Sequence, residues 1–213
     1  MQTTSDALMK TVGRTRHFIR HALVWREPFR EYAVIGWMLV GGAAWLAMGV
    51  VTGLDPPLSA IWGCYLLALL VAICAIDARF GIIPDTLVVW LGVGGLLQLV
   101  GQDWETGAQR IAAGVVVFLG GCLVRVVYRA SRGRDGLGFG DVKFLLAGAP
   151  WIGFEGLPAL LLISVLSASV SLAILRAGGE RLSRSDAISF GPHLAVALWL
   201  VWVVGPRHFA VAL

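Results

Sequence analysis

The sequence predicts an all-α protein: a polytopic membrane helix bundle with about seven transmembrane helices. Three observations lead to this fold class. Hydrophobic residues make up 58% of the 213 residues, and charged residues only 14%, whereas about 25% of an ordinary soluble domain is charged. The mean hydropathy is +0.81. The apolar residues also form separate runs of roughly 20, the length of a helix that crosses a bilayer.

The amino-terminal segment, residues 1–31, is polar and basic. Apolar side chains lie between its basic ones, so we expect either an amphipathic helix on the inner leaflet or a partly disordered tail. A first span is predicted over residues 32–52. Pro56 and Pro57 follow it, and proline cannot continue a helix interior. The chain is therefore divided into a basic cytoplasmic segment, 1–31, and a membrane domain, 32–213.

Six further spans are predicted, and prolines, glycines and charged residues set their boundaries. They are expected over residues 58–76, 85–100, 108–128, 141–154, 157–175 and 187–204. Pro84 suits a helix start, where its missing N–H costs little. The run 141–154 is short, so its helix should be tilted, bent or incompletely spanning. Gly92 and the pairs Gly41-Gly42, Gly94-Gly95 and Gly120-Gly121 are expected where helices pack closely; the first pair lies in the predicted span 32–52.

The basic residues indicate how the chain crosses the membrane. With seven spans, every lysine and arginine except Arg110 and Arg207 falls on one side. Cytoplasmic loops are rich in these residues, so we expect the amino end in the cytoplasm and the carboxyl end outside. The net charge of +4 then reflects membrane orientation, and nucleic-acid binding is not expected. Asp77 and Asp141 both fall on the cytoplasmic face.

Asp77 and Asp141 are the candidate catalytic residues. One ends an apolar run and the other begins one, and an acid at a membrane boundary is costly enough to indicate function. Two close carboxyl groups cannot both ionise, so they share a proton. The ionised acid can then take a proton from water while the protonated acid polarises a peptide carbonyl. Taken alone, each acid can also be an interfacial or helix-capping residue, and Asp141 suits an N-cap.

Other catalytic sites are poorly represented in the sequence. The four histidines lack H-E-x-x-H spacing, and neither a G-x-S-x-G elbow nor a Walker-type phosphate loop occurs. Cys64, Cys74 and Cys122 lie in apolar runs without C-x-x-C spacing, so neither a zinc site nor a disulfide framework is expected. We therefore expect no metal and no organic cofactor.

Three segments of the sequence carry distinctive motifs. The first is Asp77-Ala78-Arg79-Phe80-Gly81-Ile82-Ile83-Pro84-Asp85, an aspartate followed by a short loop that ends in Ile-Pro-Asp. The second is Gly138-Phe139-Gly140-Asp141-Val142-Lys143-Phe144, and the third is Ser189-Phe190-Gly191-Pro192. In this order the chain resembles the prepilin peptidases, also called type IV leader peptidases, a branch of the G-x-G-D intramembrane aspartic proteases. The resemblance covers about residues 58–204.

This resemblance implies that Asp77 and Asp141 cleave basic leader peptides from prepilin-like precursors at the cytoplasmic membrane face. Residues 32–213 would be the peptidase domain of a multi-pass protein in the bacterial inner membrane. The motif residues that would support the site are Gly138, Gly140, Lys143, Pro84 and Asp85. The candidates for substrate contact are Arg79, Phe190, Gly191 and Pro192.

Two further expectations follow from the sequence. Many members of that family carry paired C-x-x-C motifs and also N-methylate the new amino terminus; this chain has no such motif and resembles the short form associated with Flp-type or Tad-type pili. Methyltransferase activity is therefore not expected. The alternative function is a non-enzymatic assembly factor or transporter of a pilus or secretion system. An assembly factor would tolerate loss of Asp77 or Asp141, and a protease would not.

Overall fold

A computed structural model describes residues 57–133, 136–177 and 189–205. Within these residues the chain forms helices and no strand, which confirms the all-α prediction for this part of the chain. The helices are α1 (Pro57–Phe80), α2 (Asp85–Leu97), α3 (Trp104–Arg132), α4 (Phe139–Ala177) and α5 (Gly191–Val204). The predicted basic segment 1–31, the first span 32–52 and most of the predicted loop 176–186 lie outside the described residues.

Three helical segments are long and apolar enough to cross a membrane: Ala60–Phe80, Trp104–Arg132 and Phe139–Ile174. The helices α2 and α5 are also apolar but have only 13 and 14 residues. On α3, a row of large apolar side chains is exposed, which includes Val116, Leu119 and Leu123. Soluble proteins rarely expose continuous apolar surface of this kind, so the described part has the character of a membrane protein.

The helix α4 contains both runs that were predicted as separate spans over residues 141–154 and 157–175. Gly153 interrupts it with a φ of 65° and a ψ of −172°, a conformation that glycine adopts more readily than other residues. Arg110 of α3 lies beside the break, and its Nη1 donates to the carbonyl oxygens of Pro150 and Trp151 at 3.3 and 3.2 Å. The bend expected in the short run is therefore at Gly153, and a charged donor satisfies the carbonyls that flank it.

The helix α4 is the centre of the described bundle. It contacts α2, α3 and α5, whereas α1 contacts α2 and α5. The buried core between these helices includes Leu70 of α1, Phe144 and Trp151 of α4, and Leu194 and Leu198 of α5. Because α5 packs against both α1 and α4, it lies next to the two helices that carry Asp77 and Asp141.

The glycine pair of α2 allows that helix to approach α4 closely. A Cβ on Gly94 would lie 2.2 Å from a ring carbon of Tyr65 and 2.8 Å from a ring carbon of Trp151, and one on Gly95 would lie 3.0 Å from the same indole. The indole is also satisfied, since Trp151 Nε1 donates to the carbonyl oxygen of Leu91 at 2.9 Å. The predicted packing role is confirmed for Gly94 and Gly95.

The other predicted packing glycines differ among themselves. A Cβ on Gly121 would lie 3.0 Å from Val142, and one on Gly92 would make an ordinary 3.6 Å contact with Ala147. At Gly120 an added Cβ would meet none of the described atoms within 4 Å. The packing prediction is thus confirmed for Gly121 and Gly92, and the described residues do not support it for Gly120.

Candidate active site

Asp77 lies in the last turn of α1, which ends at Phe80. The next residue, Gly81, has a φ of 66°, and its N–H donates to the carbonyl oxygen of Asp77 at 2.8 Å. A left-handed glycine that bonds back in this way ends a helix. The side chain of Asp77 is therefore fixed at a helix end, yet the residue is only 4% exposed. A buried carboxyl group needs polar partners.

Both partners of Asp77 come from the segment that starts α5. The hydroxyl of Ser189 donates to Oδ2 of Asp77, and the backbone N–H of Gly191 donates to the same oxygen at 2.9 Å. A Cβ on Gly191 would lie 2.5 Å from that oxygen and 2.8 Å from the carboxyl carbon. The approach of α5 to Asp77 therefore requires a glycine at position 191.

Asp141 lies in the first turn of α4, because that helix begins at Phe139; it is not the residue that precedes the helix. Asp141 is half-buried, and its helix end lies beside the loop that follows Asp77, since Lys143 pairs with Asp85. A Cβ on Gly138 would lie 2.7 Å from Oδ2 of Asp141, and one on Gly140 would lie 3.3 Å from Ile83. Both glycines of the G-x-G-D motif therefore occupy close contacts.

Side chains of α3 hold the G-x-G-D segment from the other side. Arg125 Nη1 donates to the carbonyl oxygen of Leu137 at 2.9 Å, and its guanidinium carbon lies 5.7 Å from the centre of the Phe139 ring. Gly136 packs against Tyr128, where a Cβ would lie 2.5 Å from the ring. No sequence motif marks Arg125 or Tyr128 within their apolar helix, so these two contacts become visible only in the structure.

Lys143 connects α4 to the loop that follows Asp77. Its ammonium group forms an ion pair with the carboxylate of Asp85, the first residue of α2. It also lies 5.2 Å from the centre of the Phe139 ring. Pro84 precedes α2 with a φ of −65° and a ψ of 130°, so it stands at a helix start as predicted. The ion pair joins the ends of the two acid-bearing motifs.

The residues predicted to contact substrate occupy different environments. Arg79 is exposed and lies over the ring of Phe80, at 5.5 Å from its centre. Phe190 is half-buried and lies 6.4 Å from the ring of His193. Pro192 is in the first turn of α5. Gly191, which belongs to the same predicted set, is buried and faces Asp77.

An apolar groove lies next to the Lys143–Asp85 ion pair. It has a volume of about 510 Å³ and runs between α2, α3 and α4 from Asp85 and Lys143 towards Leu96 and Pro150. Within the described residues, no group of three histidine, cysteine, aspartate or glutamate side chains could hold a metal ion.

The fold and the site together define a class: helical membrane proteins in which the ends of two apolar helices bring a pair of acids together. Within that class, this chain belongs to the type IV leader peptidase family, which it matches over residues 64–173. The matched region contains both Asp77 and Asp141. It ends before Ser189, so the segment that donates to Asp77 lies outside it.

The chain is similar to curated proteins that bear the name prepilin leader peptidase/N-methyltransferase. It is 32% identical to the protein of Dickeya chrysanthemi over 181 residues, which are 85% of this chain and 60% of that relative. It is 34% identical to the protein of Burkholderia pseudomallei strain 1026b over 187 residues, 86% of this chain and 56% of that relative. The chain thus spans less than two thirds of the length of these relatives. No solved structure matches it.

Proposed function

We propose that this chain is a membrane aspartic endopeptidase that removes basic leader peptides from type IV prepilin-like precursors. The observation that carries the proposal is the placement of Asp77 and Asp141, 64 positions apart in sequence, at helix ends whose motifs meet: Gly140 packs against Ile83, and Lys143 pairs with Asp85. Membership of the type IV leader peptidase family and the names of the relatives support the same reaction and the same substrate class.

The proposed reaction needs one ionised and one protonated acid. Water adds to the carbonyl carbon of the scissile bond while the ionised acid accepts one of its protons, and the protonated acid gives its proton to the carbonyl oxygen. When the resulting tetrahedral diol collapses, the C–N bond breaks and the leaving nitrogen takes the proton held by the first acid. The second acid then recovers a proton from the diol hydroxyl. The products are a carboxyl group and a new amino terminus.

We further propose that the membrane domain, residues 32–213, has seven spans and that the basic segment 1–31 is cytoplasmic. The placement of nearly all lysine and arginine residues on one side supports this orientation. The acids then face the cytoplasmic side of a bacterial inner membrane, where a basic leader would remain while the apolar part of a precursor lies in the bilayer. Arg79 and Phe190, one exposed and one half-buried, border this site and are proposed to contact the precursor.

Methylation is a separate question, because the relatives are named for two activities. We propose that this chain has the peptidase activity alone, because the sequence has no C-x-x-C pair. For the same reason we propose that it is a short-form peptidase of the kind associated with Flp-type or Tad-type pili. The mass of the mature pilin-like product distinguishes the two cases. We expect a free amino terminus without an added methyl group.

The test is precursor processing in membranes by wild type, Asp77→Asn and Asp141→Asn. Asparagine keeps the size of the side chain but cannot exchange a proton with water or with the carbonyl oxygen, so we expect cleavage to fall by at least about a thousandfold in either variant. Processing is followed on a gel with a prepilin-like precursor from the same genome, and membrane insertion of each variant is verified.

Glu105→Asn is a suitable control, because Glu105 is an acid in the first turn of α3 and makes a hydrogen bond with Gln109. It should cleave at the wild-type rate. If either of the two site variants also cleaves at that rate, the carboxyl pair is not the catalytic centre, and the assembly-factor interpretation is favoured instead.

A further inference from the structure

We infer that the segment that starts α5 gives the two acids different roles: Ser189 and Gly191 hold Asp77 as the ionised base, and Asp141 is the protonated acid. Ser189 is then a positioning residue, because it acts through Asp77 and not on the substrate. This inference rests on the proposed function, since it states which acid performs which half of the reaction described above.

The first argument is the direction of the hydrogen bonds at Asp77. Its Oδ2 accepts from the backbone N–H of Gly191 at 2.9 Å and also from the hydroxyl of Ser189. A backbone N–H can only donate, so Oδ2 must be an acceptor in this bond and carries no proton directed at Gly191. Hydrogen bonds of this kind favour the charged form of a carboxyl group. They also leave Oδ1 of Asp77 available to take a proton from water.

The second argument is the different environment of Asp141. Among the described residues, no side chain donates a hydrogen bond to its carboxyl group, whereas Asp77 accepts from Ser189 and from Gly191. Two acids that interact directly share one proton. Because Asp77 has the stronger set of donors, the shared proton belongs on Asp141, where it faces the carbonyl oxygen of a bound peptide.

The third argument is steric. Position 191 has no room for a side chain, since a Cβ would lie 2.5 Å from Oδ2 and 3.1 Å from the Cβ of Asp77. The close approach therefore fixes the orientation of the Asp77 carboxyl group as well as its partners. Gly191 is assigned, with Ser189, to positioning the base.

The test compares Ser189→Ala, which removes the hydroxyl donor, with Ser189→Thr, which keeps it. Loss of a hydrogen bond to a charged group weakens the base, so we expect kcat of Ser189→Ala to fall about tenfold to a hundredfold, with KM within about threefold of wild type. Ser189→Thr should recover kcat to within about threefold. Ser169→Ala, which removes an exposed hydroxyl bonded to its own helix, should match wild type.

The outcomes separate this inference from the proposed function. If Asp77→Asn and Asp141→Asn are inactive but Ser189→Ala has an unchanged kcat, the assignment is overturned and the peptidase remains. If Ser189→Ala is slow but Ser189→Thr is equally slow, the hydroxyl is not the operative group and the inference also fails. Gly191→Ala gives an independent check, with an expected loss of at least about a hundredfold in kcat.

Discussion

The buried carboxyl group of Asp77 is satisfied by only two described hydrogen-bond donors. A carboxyl group that is 4% exposed would be strongly unfavourable without donors. Here one hydroxyl and one backbone N–H satisfy it, and both come from a segment in which only a glycine at position 191 fits. The neighbours of Asp77 are thus constrained in size and in hydrogen-bonding capacity at once.

The ion pair between Lys143 and Asp85 is expected to contribute little stability. Asp85 is 72% exposed, and exposed pairs are typically worth about 0.2–1 kcal/mol. A double-mutant cycle with Lys143→Gln and Asp85→Asn should therefore give a coupling energy in that range. The measurement is unfolding of the purified protein in mixed detergent.

The control cycle combines Lys143→Gln with Glu105→Gln, since Glu105 begins α3 and is bonded to Gln109 of its own helix. Its coupling energy should be near zero. A coupling energy above about 2 kcal/mol for Lys143 and Asp85 would contradict an exposed pair and would indicate one that is largely desolvated.

At the scale of the helices, close approach depends on small residues in α2 and on the interruption of α4. The helix α4 contains the residues of two predicted spans, and the break at Gly153 separates them. Arg110 donates to two carbonyl oxygens beside the break. The hydrophobic effect does not drive helices together inside lipid, so their packing depends on close contacts of small residues and on hydrogen bonds between helices. The glycine pair of α2 is the clearest case.

Gly94→Ala should therefore destabilise the bundle. Its Cβ would lie 2.2 Å from the ring of Tyr65 and 2.8 Å from that of Trp151, and overpacking of this kind typically costs about 1–3 kcal/mol. The matched control is Gly120→Ala on α3, which meets no described atom within 4 Å. It should leave stability unchanged or raise it by up to about 1 kcal/mol.

Both variants are compared by detergent unfolding and by the near-ultraviolet signal of the tryptophans, since Trp151 is one of the rings that would have to move. Equal stability of the two variants would mean that α2 does not approach Trp151 as closely as the structure has it.

At the scale of the whole molecule, the proposed orientation makes a labelling prediction. With Cys64, Cys74 and Cys122 replaced by alanine, single cysteines are introduced at Gln102, between α2 and α3, and at Arg132, at the end of α3. A maleimide that cannot cross membranes should label Gln102→Cys in intact cells and Arg132→Cys only after lysis. The reverse pattern would place the acids outside and refute the proposed cytoplasmic site.

The sequence by itself determined the all-α class of the described residues, and it singled out Asp77 and Asp141 as candidate catalytic residues. Apolar runs long enough to span a bilayer admit few alternatives to helices, because lipid offers no partner for an unpaired backbone group. The motifs around Asp77 and Asp141 placed each acid at a helix end, where Gly81 and Phe139 indeed terminate and begin helices. A bend was one of three expectations for the short run 141–154, beside a tilt and an incomplete span, and Gly153 supplies it.

Only the tertiary structure decided what each acid contacts. Ser189 is 112 residues from Asp77, and Lys143 is 58 residues from Asp85; nothing in either local pattern selects that partner. The hydrogen bond from Arg125 of α3 to the carbonyl oxygen of Leu137 is likewise not indicated by any local pattern. The physical reason is that helices which are apolar on most faces have no strong periodicity to indicate which face meets which neighbour. Those pairings follow from the lateral packing of α1, α4 and α5, which becomes definite only when the bundle is assembled.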